Sequence, residues 1–428
     1  MNEQYGILGL KKNAVDFVLR AENELSGIFR NIEEIEYHNQ IKILNAFQKE
    51  KVGQRHFSPT TGYGYDDIGR DTLDRVFARS VDAEDALVRA QITSGTHALY
   101  IALSGLLSPG DTLLSVTGKP YDTMQKAIGL SGNERNSLKS IGVKYKEIDF
   151  DRNGNLDMPK IIKGISPKVK IVYVQRSRGY AWRKALSINE IGELCGLVHA
   201  EDPGIIIVVD NCYGEFTENI EPAGIGADII AGSLIKNPGG GLAPTGGYIA
   251  GKSKLIDMIA NRLNVPGIGR ETGSYAASYA PFYQGLFLAP HTTAQSLKTA
   301  VLFAKVFENA GLQTLPSSDA PRSDIIQSLR FKNENSLTAF CRSIQRAAAV
   351  DSFVVPEAWD MPGYSHKVIM AAGTFVQGSS IELSADAPIK EPYTAYIQGS
   401  LTYAHGRIGA MLAVNDLIKS GEVKPDNI

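Results

Sequence analysis

The run "IIIVVDNCYGEF" sets five apolar β-formers ahead of Asp210, which predicts a carboxylate at the C-terminal tip of a buried strand. A carboxylate there must be paired with something, and a helix cap or a buried ion pair would serve as well as a ligand. Farther along, "GSLIKNPGGGLAPTGGYIAG" fixes Lys236 between the apolar run "DIIAGSLI" and a loop crowded with glycines. A desolvated lysine has a depressed pKa and attacks aldehydes. The plain alternative is a surface lysine in a flexible loop; the glycines and Asp210 weigh against it. Together the two residues point to pyridoxal phosphate, with Lys236 as the Schiff-base partner of its aldehyde. Asp210 would then pair with the protonated ring nitrogen and keep the ring an electron sink.

Such a cofactor needs a phosphate site, and "ITSGTHALYIALSGLL" supplies one. Ser94, Gly95 and Thr96 fall between a strand and a helix whose apolar face is Ala98, Ile101, Ala102 and Gly105. Helix N-terminal amides favour an anion, Gly95 permits close approach, and the hydroxyls add bonds. The same triplet also reads as an ordinary helix cap. Tyr121, in "SVTGKPYDTM", follows the next strand and could stack on the ring and pass protons; it could equally cover a helix start. As a nucleotide loop the glycine segment is poor, since it lacks G-x-x-x-x-G-K-[ST] and its lysine precedes the glycines.

The elements that must position these residues read as α/β. Between Ala86 and Gly251, short β-branched runs alternate with helical segments, which implies right-handed crossovers and a mostly parallel, doubly wound sheet. Ligands in such sheets sit at the C-terminal strand ends. Ahead of this unit, residues 13–49 repeat apolar positions at helical spacing, which reads as one or two amphipathic helices, a clasp onto a partner subunit. "HFSPTTGYGYDDIGRDTLDRVFARSV" opens as a loop and turns helical at Asp71, taken as an N-cap. Beyond Pro290 come a helix to about Gly311, another over 335–350, and strand-like "KVIMAAGTF" and "SSIELSA". The expected division is a helical segment 1–52, a large domain 53–290, and a connecting helix with a small α/β domain 291–428.

With 428 residues, 43% hydrophobic, 21% charged and a formal net charge of -2, the composition is that of an ordinary globular protein. No basic surplus points to nucleic acid or anionic lipid. No run approaches the ~20 apolar residues of a membrane span, and the expected location is the cytoplasm. Cys195, Cys212 and Cys341 are far apart and read as structural thiols. Seven scattered histidines lack ligand spacing, so no metal is expected.

The sequence resembles the fold-type I pyridoxal-phosphate enzymes, in particular the cystathionine/methionine lyases and their methionine γ-lyase-like, aluminium-resistance branch. The likeness covers nearly the whole chain, through "GYGYDDIGRDTLDRVFA", "SGTHALY", "QRSRGYAWR", "VVDNCYGEF", "GSLIKNPGGGLAPTGGYIAG" and "SSIELSADAPIKEPY". It implies an aspartate aminotransferase-like fold and a homodimer or homotetramer with shared sites. It further implies that Lys236 forms the Schiff base and shuttles protons, Asp210 binds the ring nitrogen and Tyr121 stacks. Gly95, Thr96 and Ser233 would hold the phosphate, and Tyr63, Tyr65 or Arg70 would reach the neighbour's phosphate. The chain departs from the pattern at Ile235, where these lyases carry a Thr, so one phosphate hydroxyl is missing. Their substrate-carboxylate arginine finds its nearest match in Lys390, with Arg407 and Arg178 as alternatives.

The implied reaction is β- or γ-elimination of a sulfur group from an amino acid such as methionine, cystathionine or cysteine. γ-Elimination needs an acid for the thiolate, and Tyr121 is the candidate. An aminotransferase, aldolase or decarboxylase of the same fold is one rival. The others are a metal- or stress-binding module, which lacks clustered ligands, and a nucleotide-dependent α/β enzyme, which lacks the loop motifs.

Overall fold

The computed structural model of the chain describes residues 3–361 and 366–421. Three helices lead: α1 (Glu3–Ile7), α2 (Lys12–Asn23) and α3 (Ser26–Lys49). After an extended loop come α4 (Ile68–Ser80), β1 (Asp85–Arg89), α5 (Gly95–Leu106), β2 (Thr112–Ser115), α6 (Asp122–Ile128) and β3 (Lys144–Glu147). Then follow α7 (Met158–Gly164), β4 (Val169–Gln175), α8 (Ile188–Glu201), β5 (Ile206–Asp210), β6 (Ile229–Ser233), β7 (Gly247–Gly251) and α9 (Ser253–Leu263). The rest is α10 (Ala280–Asn309), β8 (Gln313–Leu315), β9 (Gln327–Arg330), α11 (Glu334–Ala347), β10 (Val368–Ala371), β11 (Ser384–Pro388), β12 (Thr394–Gln398) and α12 (Tyr403–Lys419).

The first seven strands form one sheet in the order β1-β7-β6-β5-β4-β2-β3. Successive residues of a strand point to opposite faces, and here both faces are apolar. Val172, Val174, Ile207, Val209 and Ile230 pack into one core with α4 and α8; Ile171, Tyr173, Val208 and Ile229 pack into another with α5 and α9. The sheet is parallel except at β7, which runs antiparallel to both β1 and β6. The connection into β7 carries the glycine loop and one 3-10 turn in place of a crossover helix. The other five strands form an antiparallel sheet in the order β10-β11-β12-β9-β8.

Three local expectations give way. The cap of α4 is Asp67, whose side chain accepts from Arg70 N, and Asp71 lies inside the first turn. Helix α10 begins ten residues ahead of Pro290 and runs through it. A proline in a helix interior costs about 3 kcal/mol, but burial on both sides holds this one. Phe282, Leu286 and Ala289 enter the large-sheet core, and Leu297, Val301, Phe303 and Phe307 enter the C-terminal core. "SSIELSA" is irregular up to Leu383, and β11 starts at Ser384. The N-terminal helices pack within the chain: Ala14, Val15, Phe17, Val18 and Ala21 of α2 join the core of α10, α11 and α12. Among the described residues no helix is long and apolar enough to cross a membrane.

Candidate active site

A cavity of about 540 Å³ opens where β4, β5 and β6 end and α5 begins. Its far wall is the small sheet, through Val368, Met370, Ser384, Asp386, Pro388, Tyr396 and Gln398. Strand ends bring in Gln175, Asp210 and Ser233; the cavity is also lined by Ser94, Gly95, Thr96, Tyr121, Cys212, Tyr213 and Lys236.

Asp210 closes β5 and is 3% exposed. Cys212 N donates to its Oδ1 at 3.2 Å and the Tyr173 hydroxyl to its Oδ2 at 3.4 Å. Burial raises its pKa, against the Cys212 bonds and the nearby Lys236 charge that lower it. Lys236 follows β6, with Nζ 3.5 Å from the centroid of the Tyr213 ring and 3.4 Å from Ser380 Oγ. Desolvation was expected to leave it a depressed pKa, and burial does pull downward. Tyr213, Cys212 and Glu215 pull the other way, and the balance is raised. The Tyr213 phenol acts through its charge and through a hydrogen bond to the ammonium, and both favour the charged form.

On the opposite side, Ser94 caps α5 by accepting from His97 N at 3.1 Å. Gly95 and Thr96 then open the helix, whose first N–H groups have no partner inside it. A Cβ on Gly95 would stand 2.9 Å from Cys212 Sγ, so only a glycine leaves this cup open. Thr96 Oγ1 lies 3.0 Å from the Tyr121 hydroxyl. Burial, then the Asp210 charge, push that phenol well up, so it stays protonated. Tyr121 also precedes α6 as its N-cap residue, the position that the helix-start reading predicts. This donor set fits a phosphorylated pyridine aldehyde: a half-buried amine, a buried carboxylate and a helix start with hydroxyls share one cavity.

Of the residues nominated for the substrate carboxylate, Arg178 lines the cavity at 2% exposure. Its guanidinium is bound to Asp324 at 3.2 Å and to Leu315 O at 2.7 Å. Lys390 lies on the cavity lining and is exposed. Arg407 lies elsewhere, joined to Glu22 of α2 at 3.1 Å. Tyr63 and Tyr65 are outside the cavity, 72% and 59% exposed, with ring centroids 5.5 Å apart. Arg70 is buried and tied within its own chain to Asp71 and Gly64 O, at 2.8 and 2.9 Å. Sequence reasoning passed over Tyr213, Ser380 and Asp386. The signal for Asp386 was in "SADAP", where Ser384, Asp386 and Pro388 alternate with two alanines.

The sequence profile of the methionine gamma-lyase family matches residues 14–418. A solved carbon-sulfur lyase involved in aluminium resistance from Clostridium novyi NT is 47% identical, with a TM-score of 0.93 covering 96% of this chain and 98% of that one. YnbB of Bacillus subtilis (strain 168) is 49% identical over 411 residues, 96% of this chain and 97% of its own. The pyridoxal-5'-phosphate dependent protein YhfS of Escherichia coli shares the fold at 16% identity, with a TM-score of 0.61 covering 91% of this chain and 97% of that one. By the profile match and these near relatives, the chain belongs to the methionine gamma-lyase family of pyridoxal phosphate-dependent carbon–sulfur lyases.

Proposed function

We propose that the cavity is where this lyase holds pyridoxal phosphate, with Lys236 as the amine joined to its aldehyde, and where a sulfur amino acid loses its sulfur group. The observation that carries the reading is a half-buried ammonium just beyond β6 and a buried carboxylate at the end of β5, in one cavity with a helix start. When bound, the cofactor supplies an electron sink at the substrate's α-carbon. Asp210, oriented by Cys212 N–H and Tyr173, holds a proton on the ring nitrogen. Ser94, Gly95, Thr96 and Ser233 bind the phosphate. Lys236 Nζ takes the α-proton as general base, and the Tyr121 hydroxyl, kept protonated by burial, gives its proton to the departing sulfur. Arg178 and Lys390 bind the substrate carboxylate; Asp324 fixes the Arg178 fork. The small sheet excludes water from the other side.

The working unit in this reading is a homodimer or a homotetramer built from it. Support comes from Tyr37, Ile41 and Leu44, which leave an apolar stripe of α3 at 67%, 52% and 45% exposure. Tyr63 and Tyr65 extend outward and are the residues that reach a partner's phosphate.

Visible absorbance of wild type beside Lys236→Ala tests the reading. A yellow wild type that loses its chromophore to hydroxylamine, beside a variant lacking that band, supports it. A wild type that stays colourless with added pyridoxal phosphate removes Lys236 from the chemistry.

A further inference from the structure

The cavity wall facing Lys236 is more polar than an apolar substrate tail requires. In β11, Ala385 and Ala387 turn into the C-terminal core, while Ser384, Asp386 and Pro388 turn into the cavity. Asp386 is 8% exposed. It accepts from Gln398 Nε2 at 3.3 Å and from the Tyr180 side chain, both uncharged donors. The cation that acts on it is Lys236, which has its own task in the site. Nearby, the Ser379 and Ser384 hydroxyls are buried, line the cavity and take no hydrogen bond among the described residues. Against a methylthio tail the two idle hydroxyls would stay unpaired, and the carboxylate, with two neutral donors for its roughly four acceptor sites, would gain no cation from the substrate.

We propose that Asp386 is the specificity-determining residue of this wall. It recognises a protonated amine at the far end of the substrate's side chain, and so selects sulfur amino acids with a second ammonium beyond the sulfur over methionine-like thioethers. Ser379 and Ser384 accept the remaining N–H groups of that ammonium. The assignment rests on the reading of the cavity as the amino-acid site of a lyase.

The test is calorimetric binding to the cofactor-loaded protein of two pairs that differ only in the terminal group, L-lysine with L-norleucine and L-ornithine with L-norvaline. The expected result is at least about tenfold tighter binding of the diamino member of one pair to wild type, the scale of one charge-assisted bond. In Asp386→Asn the two members then bind within about twofold of each other. Asp386→Ser serves as the second variant. Equal binding of both pairs by wild type, or a preference that survives both substitutions, overturns the assignment; the wild-type comparison needs no variant to fold. Thiol and keto-acid release from a panel of sulfur amino acids separates the two failures. A diamino preference without thiol release supports the Asp386 assignment and removes the lyase reading. Thiol release without the preference does the reverse.

Discussion

Gly95 sets how closely the start of α5 can approach an anion. Its added Cβ would meet Cys212 Sγ at 2.9 Å and Ser233 Cβ at 3.6 Å, inside the cup itself. At 2.9 Å the neighbour must shift, and overpacking of about 1–3 kcal/mol outweighs the ~1 kcal/mol by which a helix interior favours alanine, so stability and binding fall together. Gly95→Ala is expected to lower Tm modestly while pyridoxal phosphate binds at least about tenfold more weakly, read by absorbance titration. A variant with wild-type affinity would put the phosphate elsewhere. Much of the site was legible at this scale. Asp210, Lys236, Ser94, Gly95, Thr96, Tyr121 and Ser233 stand at strand ends or helix starts, and those places follow from local patterning. The direction of the Lys236 shift was not legible, because it depends on the Tyr213 phenol, brought to the ammonium by a backbone with φ of 72° at that residue. That geometry has no local signal.

Asp210 is only as well placed as the segment that follows β5, and this segment is held by Arg176. Fully buried, Arg176 donates to Asn211 Oδ1 at 2.7 Å and to Gly214 O at 3.0 Å, and pairs with Glu218 at 2.8 Å and Glu221 at 3.7 Å. Removing one partner of a buried pair costs about 3–5 kcal/mol, since the other is left uncompensated. Arg176→Met is therefore expected to lose about that much in urea unfolding and to bind the cofactor less tightly as Asp210 loosens. An unchanged unfolding midpoint would mean that Asn211 and the Phe216 amide satisfy Glu221 by themselves. Elements whose partners are close in sequence were the readable ones: the alternation from β1 to β7 announced the large sheet. The small sheet was read only in part. β12 pairs with β9 across more than sixty residues, and no local pattern in "YTAYIQ" or "IIQSLR" names the other. Pro290 misled for a related reason. Its cost is local, and the burial that outweighs it comes from two distant cores.

At the scale of the molecule, the cavity lies between two sheets that α10 joins, and α2 ties the N-terminus to the second of them. Arg407 belongs to that tie through Glu22, which is why a residue suited by type to a substrate carboxylate stands outside the site. The loop carrying Tyr63 and Tyr65 is different. Arg70 and Ser274 hold its backbone through Gly64 O and Gly62 O, while both rings extend outward, clear of their own cavity. If these tyrosines complete the site of a second copy, a lysine variant and a tyrosine variant damage different chains of the same site. Mixing Lys236→Ala with a Tyr63→Phe, Tyr65→Phe double variant, after dissociation and reassociation, then builds one intact site per mixed dimer. Half the dimers are mixed, so thiol release should recover to about one quarter of wild type from two nearly inactive parents. Recovery fails if each chain carries a whole site. In that case the tyrosine variant shows near-wild-type activity before mixing, and the exposed rings serve another surface.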